Sequence, residues 1–237
     1  MDDLIQKAHE RFLRGDLEGA RWLYDQAIQK SRANQDEENL ARALGGRGNI
    51  HADLKEYNQA EQCYELALEL NHKLGRLDGI AKQYGNLGIL YKYRGEFDKA
   101  LDFYRLSIDF ATRANDIDAA GKTMASMGNL LRDEGRFDSA KKVYDKSIEI
   151  ATHLGDSNGL GYRVLNLGAL YHLQGKSQEA RSCYERSLEH FREAANLRGV
   201  ALAEEHLVTL GDGEGRVTNS ESTSGWTSPE KVDNYLS

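Results

Sequence analysis

The sequence predicts an all-α protein, a solenoid of about five helix-turn-helix repeats closed by one further helix. Three observations lead there. Tyr24, Tyr64, Tyr104, Tyr144 and Tyr184 stand 40 residues apart without a slip. Each is flanked at fixed distances by small residues, Ala20 and Ala27 in the first instance, Ala140 and Ser147 in the fourth. The chain of 237 residues holds a single proline, a residue that costs about 3 kcal/mol inside a helix.

The repeats read as 1–34, 35–74, 75–114, 115–154 and 155–196, followed by a cap helix over 197–210 and a tail over 211–237. Repeat one opens with a short helix, about 2–14, and its second helix follows Gly15. The second helices of the later repeats follow Lys55, Gly95, Gly135 and Gly175. Phe137, Ala140, Val143, Tyr144, Ser147 and Ile148 show the i, i+3, i+4, i+7 spacing of an amphipathic helix. The first helices carry a glycine at one phase, Gly48, Gly88, Gly128 and Gly168, with Ala8 in that slot in repeat one. A mid-helix glycine costs about 0.8–1 kcal/mol relative to alanine, and close approach of a neighbouring helix is the simplest reason to keep it. Val200, Leu207 and Leu210 continue the apolar phase into the last helix, whose Glu204 and Glu205 suit an end cap. Gly211, Gly213 and Gly215 are expected to end that helix, and the Ser-, Thr- and Asn-rich remainder to be disordered.

The first-helix glycine, a Tyr, Leu or His three residues on, a turn glycine, then Ala, Tyr and Ala/Ser in the second helix resemble the tetratricopeptide repeat over roughly residues 2–210. The resemblance implies a right-handed superhelical solenoid whose first helices line a concave groove. The period exceeds the usual ~34 residues. The extra residues are expected in the junctions between repeats, around 74–79, 114–116 and 154–159. This longer form is similar to the repeats of cell-polarity G-protein modulators and of bacterial Rap-type regulators.

Composition and motifs exclude several functions. A net charge of −7 argues against general nucleic-acid affinity. No apolar run approaches the ~20 residues that span a bilayer, and Met1-Asp2-Asp3 does not begin a signal peptide, so a cytoplasmic location is expected. Cys63 and Cys183, three repeats apart, read as unpaired core thiols. The histidines show no ligand spacing, and His51 reads as a packed residue in the slot of Tyr91 and Tyr171. Gly211-x-Gly213-x-Gly215 follows a helix rather than a strand, which speaks against a phosphate loop. Neither a cofactor, a metal nor an enzyme activity is expected.

The repeat register groups residues on the first-helix face opposite the core. Arg42, Lys82 and Lys122 share one position, Asn86 and Asn166 a second, Asn49 and Asn129 a third, and Arg132 a fourth with His172. Asparagine offers both a donor and an acceptor to an extended backbone, and cations attract carboxylates. By the resemblance, Arg42, Asn49, Lys82, Asn86, Lys122, Asn129, Arg132 and Asn166 are expected to hold an extended, acidic peptide segment of a partner protein. The competing expectation is that they pair with one another or with Asp53 and Asp133. Trp226 or Tyr235 of the tail could occupy the groove instead.

A peptide-responsive regulator of Rap type and a factor that self-associates weakly through its terminal helices are the alternatives to a monomeric adaptor. The Rap-type resemblance implies an N-terminal bundle, whereas repeat one starts almost at Met1.

Overall fold

A computed structural model describes residues 2–214. Among them are eleven helices: α1 Asp2–Leu13, α2 Leu17–Ala33, α3 Glu37–Asp53, α4 Tyr57–Leu74, α5 Leu77–Tyr93, α6 Phe97–Arg113, α7 Ile117–Asp133, α8 Phe137–Leu154, α9 Ser157–Leu173, α10 Ser177–Glu193 and α11 Leu197–Glu214. The odd-numbered helices are the first helices of the repeats. Two compact units result, one from the N-terminus to Ala119 and one from Ala120 onward.

The reading of longer junctions needs correction. Leu74 still belongs to α4, and Leu77 already begins α5. The chain spends its extra residues on helix length, with α2 to α11 spanning 17 or 18 residues each. Turns of one kind join them all. A left-handed residue follows each helix from α1 to α10, and the next amide closes back five residues, as Glu96 N does on Tyr91 O at 2.9 Å and Asp116 N on Ala111 O at 2.9 Å. Glycine takes this place at 15, 75, 95, 135, 155 and 175, whereas Gln35, Lys55, Asn115 and Ala195 hold φ between 52° and 60°. Aspartate or asparagine then caps four of the first helices: Asp36 accepts from Asn39 N, Asp116 from Ala119 N, Asp156 from Gly159 N and Asn196 from Gly199 N, whereas α5 begins after Arg76 without a side-chain cap.

The mid-helix glycines are explained by the tyrosines. A Cβ on Gly48 would stand 2.5 Å from the Tyr64 ring, and one on Gly88 2.5 Å from Tyr104. Gly128 and Gly168 meet Tyr144 and Tyr184 in the same way, each at 2.6 Å. In repeat one, where Ala8 takes the slot, Tyr24 rests against Gly46 of α3. The core of the first unit joins Ala8, Ala20, Tyr24, Ala27 and Ile50, and that of the second Leu165, Ala180, Tyr184, Phe191 and Leu210. Both cysteines are buried and free, and burial raises their thiol pKa values.

The last helix does not stop at residue 210 but runs on to Glu214, through Gly211 and Gly213. A helix tolerates glycine at about 1 kcal/mol per residue, and no proline follows until Pro229. Trp226 and Tyr235 lie outside the described residues.

Candidate functional site

In the first unit, Arg42 and Lys82 are exposed residues of α3 and α5. Arg42 donates to Asn39 Oδ1 at 3.0 Å and pairs with the carboxylate of Asp2, from α1. Asp2 occupies in α1 the register position of Arg42 and Lys82, so the first helices present these residues to one another. Lys82 makes no ion pair or hydrogen bond among the described residues. Protein crowding round its ammonium, followed by repulsion from Arg42, lowers its pKa from the ordinary lysine value, and Asp78 offsets this only in part. His9, at the register of Asn49, feels the same surroundings: burial first, then Lys82, lowers its pKa.

The asparagines separate into three kinds. Asn49 accepts the Tyr64 hydroxyl at 2.9 Å, and Asn129 accepts that of Tyr144 at 2.6 Å. Their carbonyl ends therefore anchor the repeat tyrosines, leaving only the amide ends for a ligand. Asn166 is half-buried and makes no hydrogen bond among the described residues. Asn86 departs from the expected open wall, being only 7% exposed. Its register position turns toward the packing between helices, where Gly46 meets a tyrosine ring and Ser126 is equally buried. The Asn86 Nδ2 is enclosed without a hydrogen-bond partner among the described residues, one helical turn from Lys82.

In the second unit, Lys122 is exposed on α7. Arg132 clamps its neighbour, with Nε and Nη2 reaching Asp133 Oδ1 at 3.0 and 2.7 Å. For Arg132 the expectation of a local partner is therefore the one realised. Arg132 also shares its surroundings with His172 of α9 and His206 of α11. Burial first lowers the His206 pKa, and His172 and Arg132 lower it further against the opposing pull of Glu205. The His206 ring stacks on Tyr184 with centroids 5.0 Å apart. Tyr184 belongs to a repeat that has Ala169 in place of Asn49 or Asn129, and its buried hydroxyl has no hydrogen-bond partner among the described residues.

Each unit thus gathers cationic or titratable groups on its first-helix face: His9, Arg42 and Lys82 in one, Arg132, His172 and His206 in the other. Asp2, His9 and His206 were not among the expected site residues. Extending the 40-residue register into α1 and α11 would have found all three. Among the described residues no helix is long and apolar enough to cross a membrane, and no group of three or more His, Cys, Asp or Glu is placed to hold a metal.

A family profile described as Tetratricopeptide repeat matches residues 39–113 and 120–204. No curated protein matches the sequence. Solved structures similar in fold include BtubC (BKLC) from P. vanneervenii, 16% identical with a TM-score of 0.66 over 88% of this chain and 96% of that one. A Rap protein complexed with Competence and Sporulation Factor is 17% identical, with a TM-score of 0.66 over 90% of this chain and 64% of its own. A STAND signal-transduction ATPase from Pyrococcus horikoshii with a tetratricopeptide repeat sensor is 16% identical, with a TM-score of 0.75 over 87% of this chain and 32% of its own. The chain therefore spans under two thirds of the Rap protein and about a third of the ATPase.

Proposed function

Because the chain belongs to the tetratricopeptide repeat family, we propose that it is a non-catalytic protein–protein interaction module, with residues 1–210 as its binding domain. Its ligand is an extended, acidic segment of a partner protein. One observation carries the reading. On the α1–α3–α5 face a carboxylate already sits on Arg42, while Lys82 beside it makes no ion pair among the described residues and has a lowered pKa that Asp78 offsets only in part. A lysine crowded by protein and repelled by an arginine gains when an anion arrives, because an opposite charge favours its charged form. One turn away, the enclosed Nδ2 of Asn86 has no acceptor among the described residues, a state that costs about 1–3 kcal/mol. A peptide carboxylate entering beside Lys82 supplies that anion, with the amide end of Asn49 available to its backbone. On the second unit Lys122 and Arg132, with the amide ends of Asn129 and Asn166, offer the same chemistry, Arg132 only by exchanging Asp133 for the ligand. The Rap protein solved with Competence and Sporulation Factor is consistent with a stack of this kind holding a partner molecule.

The test is calorimetric titration with an acetylated Glu-Ala repeat peptide and its Lys-Ala counterpart. Wild type is expected to bind the acidic peptide alone, and Lys82→Glu/Lys122→Glu to lose it by roughly tenfold or more, about 1.4 kcal/mol. Equal binding by both proteins would move the ligand off this face.

A further inference from the structure

A second place for a ligand lies on another side of α3, the side that meets the second helices α2 and α4. Leu40, Leu44, Leu66 and Leu70 wall an open depression of about 270 Å³, with Arg32, Glu69 and Lys73 at its rim. The repeat register shows what this place can contain. Forty residues on, Leu44 is replaced by Tyr84, Leu70 by Phe110 and Arg32 by His72. Those three rings fill the equivalent position in contact with one another. Tyr84 and Phe110 have centroids 5.6 Å apart, and His72 meets Phe110 edge-on at 5.9 Å. The chain thus packs aromatic rings into the junction in one repeat and leaves it walled by leucines in the repeat before.

Size and charge narrow the occupant. A cavity of about 150 Å³ suffices for benzene, so the depression admits the ring of an aromatic side chain. Lys73 is engaged by Glu37, but the Arg32 guanidinium makes no ion pair or hydrogen bond among the described residues. It stands where His72 leans on Phe110 one repeat later, so it can lie against an incoming ring or hold a carboxylate beside that ring.

We propose that this depression is a docking site for an aromatic side chain of a partner protein, Trp, Tyr or Phe, whose neighbour in sequence is an acidic residue paired with Arg32. The site is independent of the peptide face. It would let a partner be gripped on a second side of α3 by one anchor rather than by an extended segment.

The experiment follows leucine methyl signals of the full chain on titration with the dipeptides acetyl-Trp-Glu-amide, acetyl-Leu-Glu-amide and acetyl-Trp-Lys-amide. Acetyl-Trp-Glu-amide is expected to give saturable ring-current shifts at Leu66 and Leu70, and acetyl-Leu-Glu-amide none that saturate. Leu44→Tyr/Leu70→Phe installs the filling of the next repeat and is expected to weaken the response by roughly tenfold. Leu66→Glu, at the exposed lip, gives the same loss should the filled variant not fold. Arg32→Glu should shift the preference to acetyl-Trp-Lys-amide. Lys82→Glu should leave the shifts unchanged, which separates this site from the peptide face. Persistence of the response in both the filled and the Leu66→Glu proteins, or an equal response to acetyl-Leu-Glu-amide, overturns the proposal.

Discussion

The glycine at the centre of each first helix from the second repeat to the fifth is costly by itself and indispensable in place. Gly88 lies under Tyr104, whose ring stands 2.5 Å from where a Cβ would be, and both residues are buried. Gly88→Ala gains about 1 kcal/mol of helix propensity, yet overpacking a filled core costs about 1–3 kcal/mol, and there is no room into which Tyr104 can shift cheaply. The expected outcome in denaturant unfolding is a net loss of stability, opposite in sign to the usual effect of Gly→Ala in a helix; a stabilised variant would contradict the packing. Close approach of a neighbouring helix at these glycines was legible in the sequence because they recur every 40 residues, whereas the tyrosine ring as the group that meets them was not. Asn86 was less legible. It shares a register position with Asn166, which is half-buried, but register fixes a direction on a helix and not the depth of packing around it. The hydrogen bonds from Tyr64 to Asn49 and from Tyr144 to Asn129 join different helices of a repeat, and the spacing of 15 residues between partners gave no signal of its own.

At the scale of the helix, α11 carries the clearest pH dependence. His206 is held neutral by burial against Tyr184, with His172 and Arg132 adding repulsion. Its folded pKa lies below the ordinary value of 6.5, so the unfolded chain takes up the proton first. The stability it contributes is complete above pH 6.5 and is lost as the pH falls below that value toward the folded pKa. Protection of the α11 amides, corrected for the intrinsic pH dependence of exchange, is therefore expected to fall as the pH drops below 6.5, and His206→Phe to flatten that change. His9 shifts in the same direction, but it lies in α1, so residue-resolved exchange separates the two. The helix periodicity was readable from sequence, whereas the helix ends were not. Gly79 looked like loop, yet it lies inside α5, where the Asn71 side chain fills the space its Cβ would take. A longer repeat period alone does not say whether turns or helices have grown. Ala195, a left-handed residue with no special side chain, was equally invisible and carries a cost of about 1–2 kcal/mol.

On the scale of the whole molecule, a chain of net charge −7 repels an acidic partner at long range. Attraction must come from within about 8 Å at physiological salt, which makes the local grouping of Arg42 and Lys82 matter more than the total. It also implies that binding depends on short-range ion pairs and on amide donors. The most direct measurement is the pKa of the Lys82 ammonium, followed by NMR without ligand and with the acetylated Glu-Ala repeat peptide. The account predicts a lowered value in the free protein that rises toward the ordinary lysine value on saturation, together with a shift of the Asn86 side-chain amide. A Lys82 pKa that stays the same while the peptide binds would contradict it.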